Sequence, residues 1–328
     1  MENSINKNLP LTIALVMVSL IITGCNTATQ SPIITGDYYH IYDPQPDIFP
    51  GPDSENLTAG KKYDNWVPND HGFAKAPDGT WHCFGITHPT TDKTEIHEAE
   101  WQMFHITSPT KSFATSSGKQ WTEHKKILTP ADRPNERKNA HAPTIVKKDN
   151  LYYMFYGPIE IRYATSTDLY NWTPKGQVFQ QKSGGTRDPS ITKIKDTYYM
   201  VYISGDGLYL RTSTDLLTWS PAPTKILTMT RKGAPESPTI IYKDNWYYLT
   251  WCIWDDTQGP YDHRTFIQAS KTPYNFNNTP IVAQLNAHAP EFIKDEQGNY
   301  HITSAEYPIT GLSIAPLKWQ KSGINSTK

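Results

Sequence analysis

One two-strand pattern recurs along the chain, and its spacing leaves few folds open. Four copies align without gaps for most of their length. They are His141-Ala142-Pro143-Thr144-Ile145 with Leu151-Tyr152-Tyr153-Met154, Arg187-Asp188-Pro189-Ser190-Ile191 with Thr197-Tyr198-Tyr199-Met200, Glu236-Ser237-Pro238-Thr239-Ile240 with Trp246-Tyr247-Tyr248-Leu249, and His288-Ala289-Pro290-Glu291-Phe292 with Asn299-Tyr300-His301-Ile302. Each reads as a strand, a turn and a second strand. The turns carry Asp149-Asn150, Lys195-Asp196, Asp244-Asn245 and Gln297-Gly298, residues that suit tight hairpins between apolar runs. A fifth copy lies upstream, with Asp70-His71-Gly72-Phe73, turn Asp78-Gly79 and second strand Trp81-His82-Cys83-Phe84.

Further strands follow in the same order. Ala164-Thr165-Ser166-Thr167-Asp168-Leu169 with Trp172 is echoed by Arg211-Thr212-Ser213-Thr214-Asp215-Leu216 with Trp219, and more loosely by Gln268-Ala269-Ser270. Four strands per unit, repeating every 46 to 52 residues, are the signature of propeller blades. The 20 Tyr, 10 Trp and 26 Pro agree, since they favour strands and turns over packed helices. The expected fold is all-β: a five-bladed β-propeller of four antiparallel strands per blade over residues 37 to 320, with hardly any helix. Pro143, Pro189, Pro238 and Pro290 are expected to open the innermost strands.

The segment ahead of the repeat reads as an address. Pro10 to Thr23 is an apolar run too short for a comfortable membrane span and shaped like the core of a secretory signal. It ends in Ile22-Thr23-Gly24-Cys25, which resembles the bacterial lipobox. Residues 1 to 25 are thus expected to be a lipoprotein signal with Cys25 as the lipidation site, residues 26 to 36 a polar tether, and residues 321 to 328 a tail. The expected location is extracytoplasmic, anchored to the membrane, at the outer membrane in a Gram-negative cell. The other cysteines, Cys83 and Cys252, sit in aromatic strand patterns and are expected as buried free thiols. With 31 basic against 32 acidic side chains, a nucleic-acid partner is not indicated. A monomer is expected.

The informative feature is where the repeat departs from itself. The two positions before the proline hold Asp70-His71, His141-Ala142, Arg187-Asp188, Glu236-Ser237 and His288-Ala289. A scaffold requirement would repeat, and these do not. On innermost strands they would converge on one mouth of the central channel, bringing Asp70, Asp188 and Glu236 together. Like charges in partly desolvated space raise one another's pKa, so a purely structural role seldom selects them. Glycoside hydrolysis requires such a set: one carboxylic acid kept protonated for the leaving oxygen and one ionised carboxylate as base or nucleophile. A hard-cation cage would need more oxygen ligands. The chain has no nucleotide-binding glycine loop, serine nucleophile elbow or His-Glu-x-x-His motif.

These residues resemble the five-bladed propeller glycoside hydrolases, chiefly the arabinosidases and xylosidases of family 43. Asp188-Pro189-Ser190 is similar to that family's Asp-Pro motif, and Glu236-Ser237-Pro238 to its Glu-x-Pro motif. Family 32, the fructosidases, is echoed by Asn69-Asp70 in the first blade and by Arg187-Asp188-Pro189 in the third. His71 and Ser237 depart from the family 32 pattern, and the chain is too short for that family's added β-sandwich. The resemblance implies a hydrolase acting on terminal arabinofuranosyl or xylosyl units of plant or algal oligo- or polysaccharides, with inversion of configuration. Asp70 would be the base, or the nucleophile if configuration is retained, Asp188 the residue that orients the sugar and tunes the acid, and Glu236 the acid. No cofactor is implied as a requirement. His288 falls where the family often places a histidine near a central cation or water cluster, a place for a structural calcium.

Substrate contacts are expected from Arg187, which would clamp the sugar or pair with Asp188, and from His141 and His288, as sugar ligands or hydrogen-bonded channel residues. Long loops from Thr87 to Ala99 and from Trp254 to His263 would wall the pocket. Trp66, Trp101 or Trp254 would offer a stacking face, and at least one of them is expected to be exposed. Two other readings compete: a retaining, family 32-like fructosidase and a non-catalytic carbohydrate-binding propeller.

Overall fold

The computed structural model describes residues 28–90, 99–181, 185–254, 264–306 and 311–321. The chain opens with β1 (Gln30–Ile34) and β2 (Tyr39–Tyr42), followed by a short pair, β3 (Asp47–Ile48) and β4 (Lys62–Tyr63). Four blades then follow in strict order. Blade one is β5 (Asn65–Lys75), β6 (Trp81–Thr90), β7 (Gln102–Thr107) and β8 (Thr122–Ile127), interrupted by the single helical turn α1 (Phe113–Ser116). Blade two is β9 (His141–Lys148), β10 (Leu151–Gly157), β11 (Ile161–Ser166) and β12 (Thr173–Phe179). Blade three is β13 (Arg187–Ile194), β14 (Thr197–Ser204), β15 (Gly207–Ser213) and β16 (Thr224–Thr228), and blade four is β17 (Ala234–Lys243), β18 (Trp246–Trp254), β19 (Arg264–Ser270) and β20 (Ile281–Asn286). Blade five has β21 (Phe292–Lys294), β22 (Tyr300–Ala305) and β23 (Leu312–Lys321). The five-bladed, nearly helix-free propeller read from the sequence is the fold observed.

One boundary moves. The fourth strand of blade five comes from the other end of the chain: β1 pairs with β23 from Gln30↔Lys321 to Ile34↔Leu317, and β2 continues along the same edge at Tyr39↔Ile314. Residues 30–34, expected as tether, are therefore part of the propeller. Joining the two chain ends in one sheet removes an open edge and closes the ring.

Alternation along the second strand of each blade builds the core. In β10, Tyr152, Met154 and Tyr156 enter the cluster shared with blade one, while Phe155 faces the cluster shared with blade three. In β14, Tyr198, Met200 and Tyr202 face blade two and Val201 faces blade four. The period of two thus feeds two interblade cores from one strand, which is why the repeat reads Tyr-Tyr at its centre. In blades two, three and four the first hairpin turn is two residues long, with Asp149, Lys195 and Asp244 at φ near +50°. Between third and fourth strands, Ser166 Oγ accepts the Asp168 and Leu169 amides and Asp168 Oδ1 those of Tyr170 and Asn171. Ser213 and Asp215 repeat the arrangement in blade three. Cys83 and Cys252 are buried free thiols.

Candidate active site

The first strands β5, β9, β13 and β17 lie side by side around the axis, and each carries a bulge at the same depth. Register jumps between Pro68↔Thr87 and His71↔Gly85, between His141↔Gly157 and Thr144↔Phe155, between Arg187↔Ile203 and Ser190↔Val201, and between Glu236↔Cys252 and Thr239↔Thr250. In each case two residues of the first strand oppose one of the second. In blade five the Ala305 amide bonds the His288 carbonyl and the Thr303 amide that of Glu291, which leaves Ala289-Pro290 as the same bulge. Ala142, Asp188, Ser237 and Ala289 lie at φ between +46° and +51°. Such bulges bend a strand and redirect its side chains, here toward the channel mouth. The prolines therefore sit inside the bulges; in blades two to four they follow the strand start, and Pro290 precedes β21.

The same register corrects the expected alignment of the first blade. Pro68 is opposed as His141, Arg187 and Glu236 are, so Asn69 matches Asp188 and Ser237, and Asp70 takes the place that the other blades give to proline. His71 falls one level deeper, with Thr144, Ser190, Thr239 and Glu291. There both its nitrogens are engaged, Nε2 with Thr303 Oγ1 at 2.7 Å and Nδ1 with the Asn69 carbonyl at 3.1 Å.

The three carboxylates do meet. Arg187 Nη1 donates to Asp188 Oδ2 at 2.5 Å and stands 3.6 Å from Glu236 Oε1, while its Nη2 donates to the Pro235 carbonyl at 2.7 Å. Ser237 Oγ donates to Asp70 Oδ1, and the Ser237 amide donates to Asp188 Oδ2 at 3.2 Å. Below them a space of about 20 Å³, enough for one water, is lined by Asp70, His71, Asp188, Ser190, Ser237 and Glu291 among others. Burial pushes the Glu236 carboxyl well above its usual range; Arg187 opposes this, and Asp70, Asp188 and Glu100 add to it. Asp70 is raised to about 7 by burial and then by Asp188, against the pull of the Ser237 hydroxyl and Arg187. Burial thus moves both carboxyls toward the protonated form, a shift that suits acid–base chemistry by paired carboxyls.

Two carboxyls at the site have no counterpart in the sequence reading. Glu100, buried at the foot of β7, holds His141 Nε2 at 3.0 Å. Glu291 lines the floor and is raised to about 8 by burial and the Asp70 charge. Proximity to a proline bulge is the signal that marks Glu291; nothing local marks Glu100. His288 is buried, its amide held by Ser304 Oγ at 2.9 Å. No group of three or more His, Cys, Asp or Glu converges as a metal cage among the described residues. An ion beside His288 would take most of its ligands from water.

Two of the three expected stacking faces are corrected. Trp66 and Trp101 are 4% and 5% exposed, packed with Phe49, Leu57 and Tyr63 under the β3–β4 segment, and capped by Lys126 and Lys138 at 4.0 and 4.8 Å from the ring centres. The Trp254 side chain, the loop after it and residues 91–98 lie outside the described residues.

The family model for "Glycosyl hydrolases family 43" matches residues 182–273, the stretch that holds Asp188 and Glu236. The chain is a glycoside hydrolase resembling family 43. Solved structures share the fold of this glycosidase. A Bacillus subtilis arabinanase is 18% identical, with 77% of this chain and 94% of that one covered and a TM-score of 0.56. A Bacillus licheniformis endo-arabinanase is 19% identical, covering 79% and 95% at a TM-score of 0.54. A β-xylosidase/α-arabinofuranosidase from a compost microbial metagenome is 15% identical, covering 80% and 93% at a TM-score of 0.57. No curated protein matches the glycosidase in sequence.

Proposed function

We propose that this glycosidase removes terminal arabinofuranosyl or xylosyl units from plant or algal oligo- or polysaccharides, with inversion of configuration. The observation that carries the reading is the meeting of Glu236, Asp70 and Asp188 around Arg187, where burial raises the Glu236 carboxyl well above its usual range and Asp70 to about 7. Glu236 donates its proton to the glycosidic oxygen as the bond to the anomeric carbon breaks. Asp70 takes a proton from the water that attacks the opposite face. Asp188, held by Arg187, orients the sugar, and its negative charge adds to the burial that favours a proton on Glu236. The likeness of Glu236-Ser237-Pro238 to the Glu-x-Pro motif supports the inverting assignment.

Activity on aryl arabinofuranosides and xylosides, with NMR of the first-formed anomer, tests the assignment. Release of a sugar with retained configuration would refute inversion, and inactivity on every pentoside would refute the substrate class. The Gly24-Cys25 lipobox supports a lipid anchor, so Cys25→Ala should move the protein from membranes to the soluble fraction. Wild-type protein already soluble in a lipidating host would argue against an anchor.

A further inference from the structure

Ser237 stands between Glu236 and Pro238, in the bulge of blade four, yet its polar atoms reach two other blades. Its hydroxyl donates to Asp70 Oδ1 of blade one, and its amide donates to Asp188 Oδ2 of blade three. Backbone geometry does not demand a hydroxyl here. The equivalent residues of blades two and five are Ala142 and Ala289, and they hold the same left-handed conformation at +46° and +47° against +47° for Ser237. A serine in this conformation, where alanine serves elsewhere in the same ring, marks a residue kept for what its side chain touches.

We propose that Ser237 is a positioning residue for the base: its hydroxyl fixes one oxygen of Asp70 and favours the ionised form, leaving the other oxygen for water. The inference rests on Asp70 being the base. A hydrogen bond to the charged form lowers a carboxyl's pKa, and here it opposes the burial and the Asp188 charge that raise it. Removing the donor should therefore push Asp70 further up, and the enzyme should need a higher pH to ionise it.

The experiment compares pH profiles of kcat/KM on an activated aryl pentoside for wild type, Ser237→Ala, Ser237→Gly and Asp70→Asn, with thermal melting of each. Both Ser237 variants should move the acid limb up by about one pH unit, a loss of about tenfold at pH 6 that shrinks to about twofold at pH 8. Melting of Ser237→Ala should stay close to wild type, because alanine is what blades two and five use. Ser237→Gly, which relaxes the positive φ, controls for any misfit of alanine. An unmoved acid limb in a folded variant, with Asp70→Asn inactive, would overturn the role of Ser237 and leave the base assignment standing. Wild-type activity in Asp70→Asn would overturn the base assignment and the proposal with it.

Discussion

The guanidinium of Arg187 stands 3.6 Å from the Glu236 carboxyl, although the two residues hold the same position in consecutive blades. The repeat places equivalent positions beside one another, so a cation in one blade and an acid in the next become a pair without any change of backbone. Arg187 is committed first to Asp188, at 2.5 Å. Glu236 receives only the remainder of its field, and burial prevails. A mouth with one guanidinium among five carboxyls favours a proton on one of them for that reason.

The proposed acid role of Glu236 separates substrates by leaving group. Glu236→Gln should lower kcat/KM by about 10²- to 10⁴-fold on an oligosaccharide or alkyl glycoside, and far less on a nitrophenyl or dinitrophenyl glycoside, whose phenolate departs with little protonation. Plotting log kcat against leaving-group pKa for both proteins makes the check. Parallel lines would mean that Glu236 serves something other than proton donation.

The parts of the molecule legible in the sequence are those whose cause is local. Asp149 and Asp244 mark two-residue turns because Asp tolerates positive φ, and Ser166 with Asp168 bonds amides within three residues. The carboxylates were visible as departures from a repeat. Asp70 was placed one residue out of register because it stands where the other blades have proline, and only strand pairing reveals the slip. Ser237 reads as a spacer until the ring closes, since its partner Asp70 is 167 residues away. Likewise β1 carries no hairpin partner nearby: it pairs with the far end of the chain. Trp66 and Trp101 looked like platforms because nothing local shows that the β3–β4 segment folds over them.

Blade one holds a histidine stack remote from the mouth. His82 Nδ1 and His105 Nε2 are 2.9 Å apart, and the His105 ring lies 4.7 Å from that of His124, with Tyr170 edge-on to all three. Burial, then neighbouring histidines, lowers His82 to about 4 and His105 to about 2. A histidine lowered in the fold binds protons better when unfolded, so stability is lost as pH falls from 6.5 toward these values. His105→Phe keeps a ring in the stack and removes that proton site. Its urea midpoint should fall below wild type at pH 8, where a hydrogen bond is lost, and close on or pass it at pH 5. An equal gap at both pH values would show that His105 does not govern acid sensitivity.

Glu291 produces the opposite dependence. Its carboxyl is raised from the usual 4.5 to about 8 by burial and by the Asp70 charge. An acid raised in the fold holds its proton more tightly than in the unfolded chain, so its contribution is complete below 4.5 and is lost as pH climbs through 8. Glutamine is a neutral mimic at every pH. Glu291→Gln should lie within about 1 kcal/mol of wild type near pH 5 and exceed it by a further ~4 kcal/mol at pH 9. Asp70 and Glu236 titrate in both proteins, so their contributions largely cancel in the difference. Urea melts at pH 5, 7 and 9 give that difference directly. A gap that stays constant with pH would mean that Glu291 is ionised in the native protein throughout, and that the floor of the channel is wetter than its lining of Asp70, His71, Ser190 and Ser237 implies.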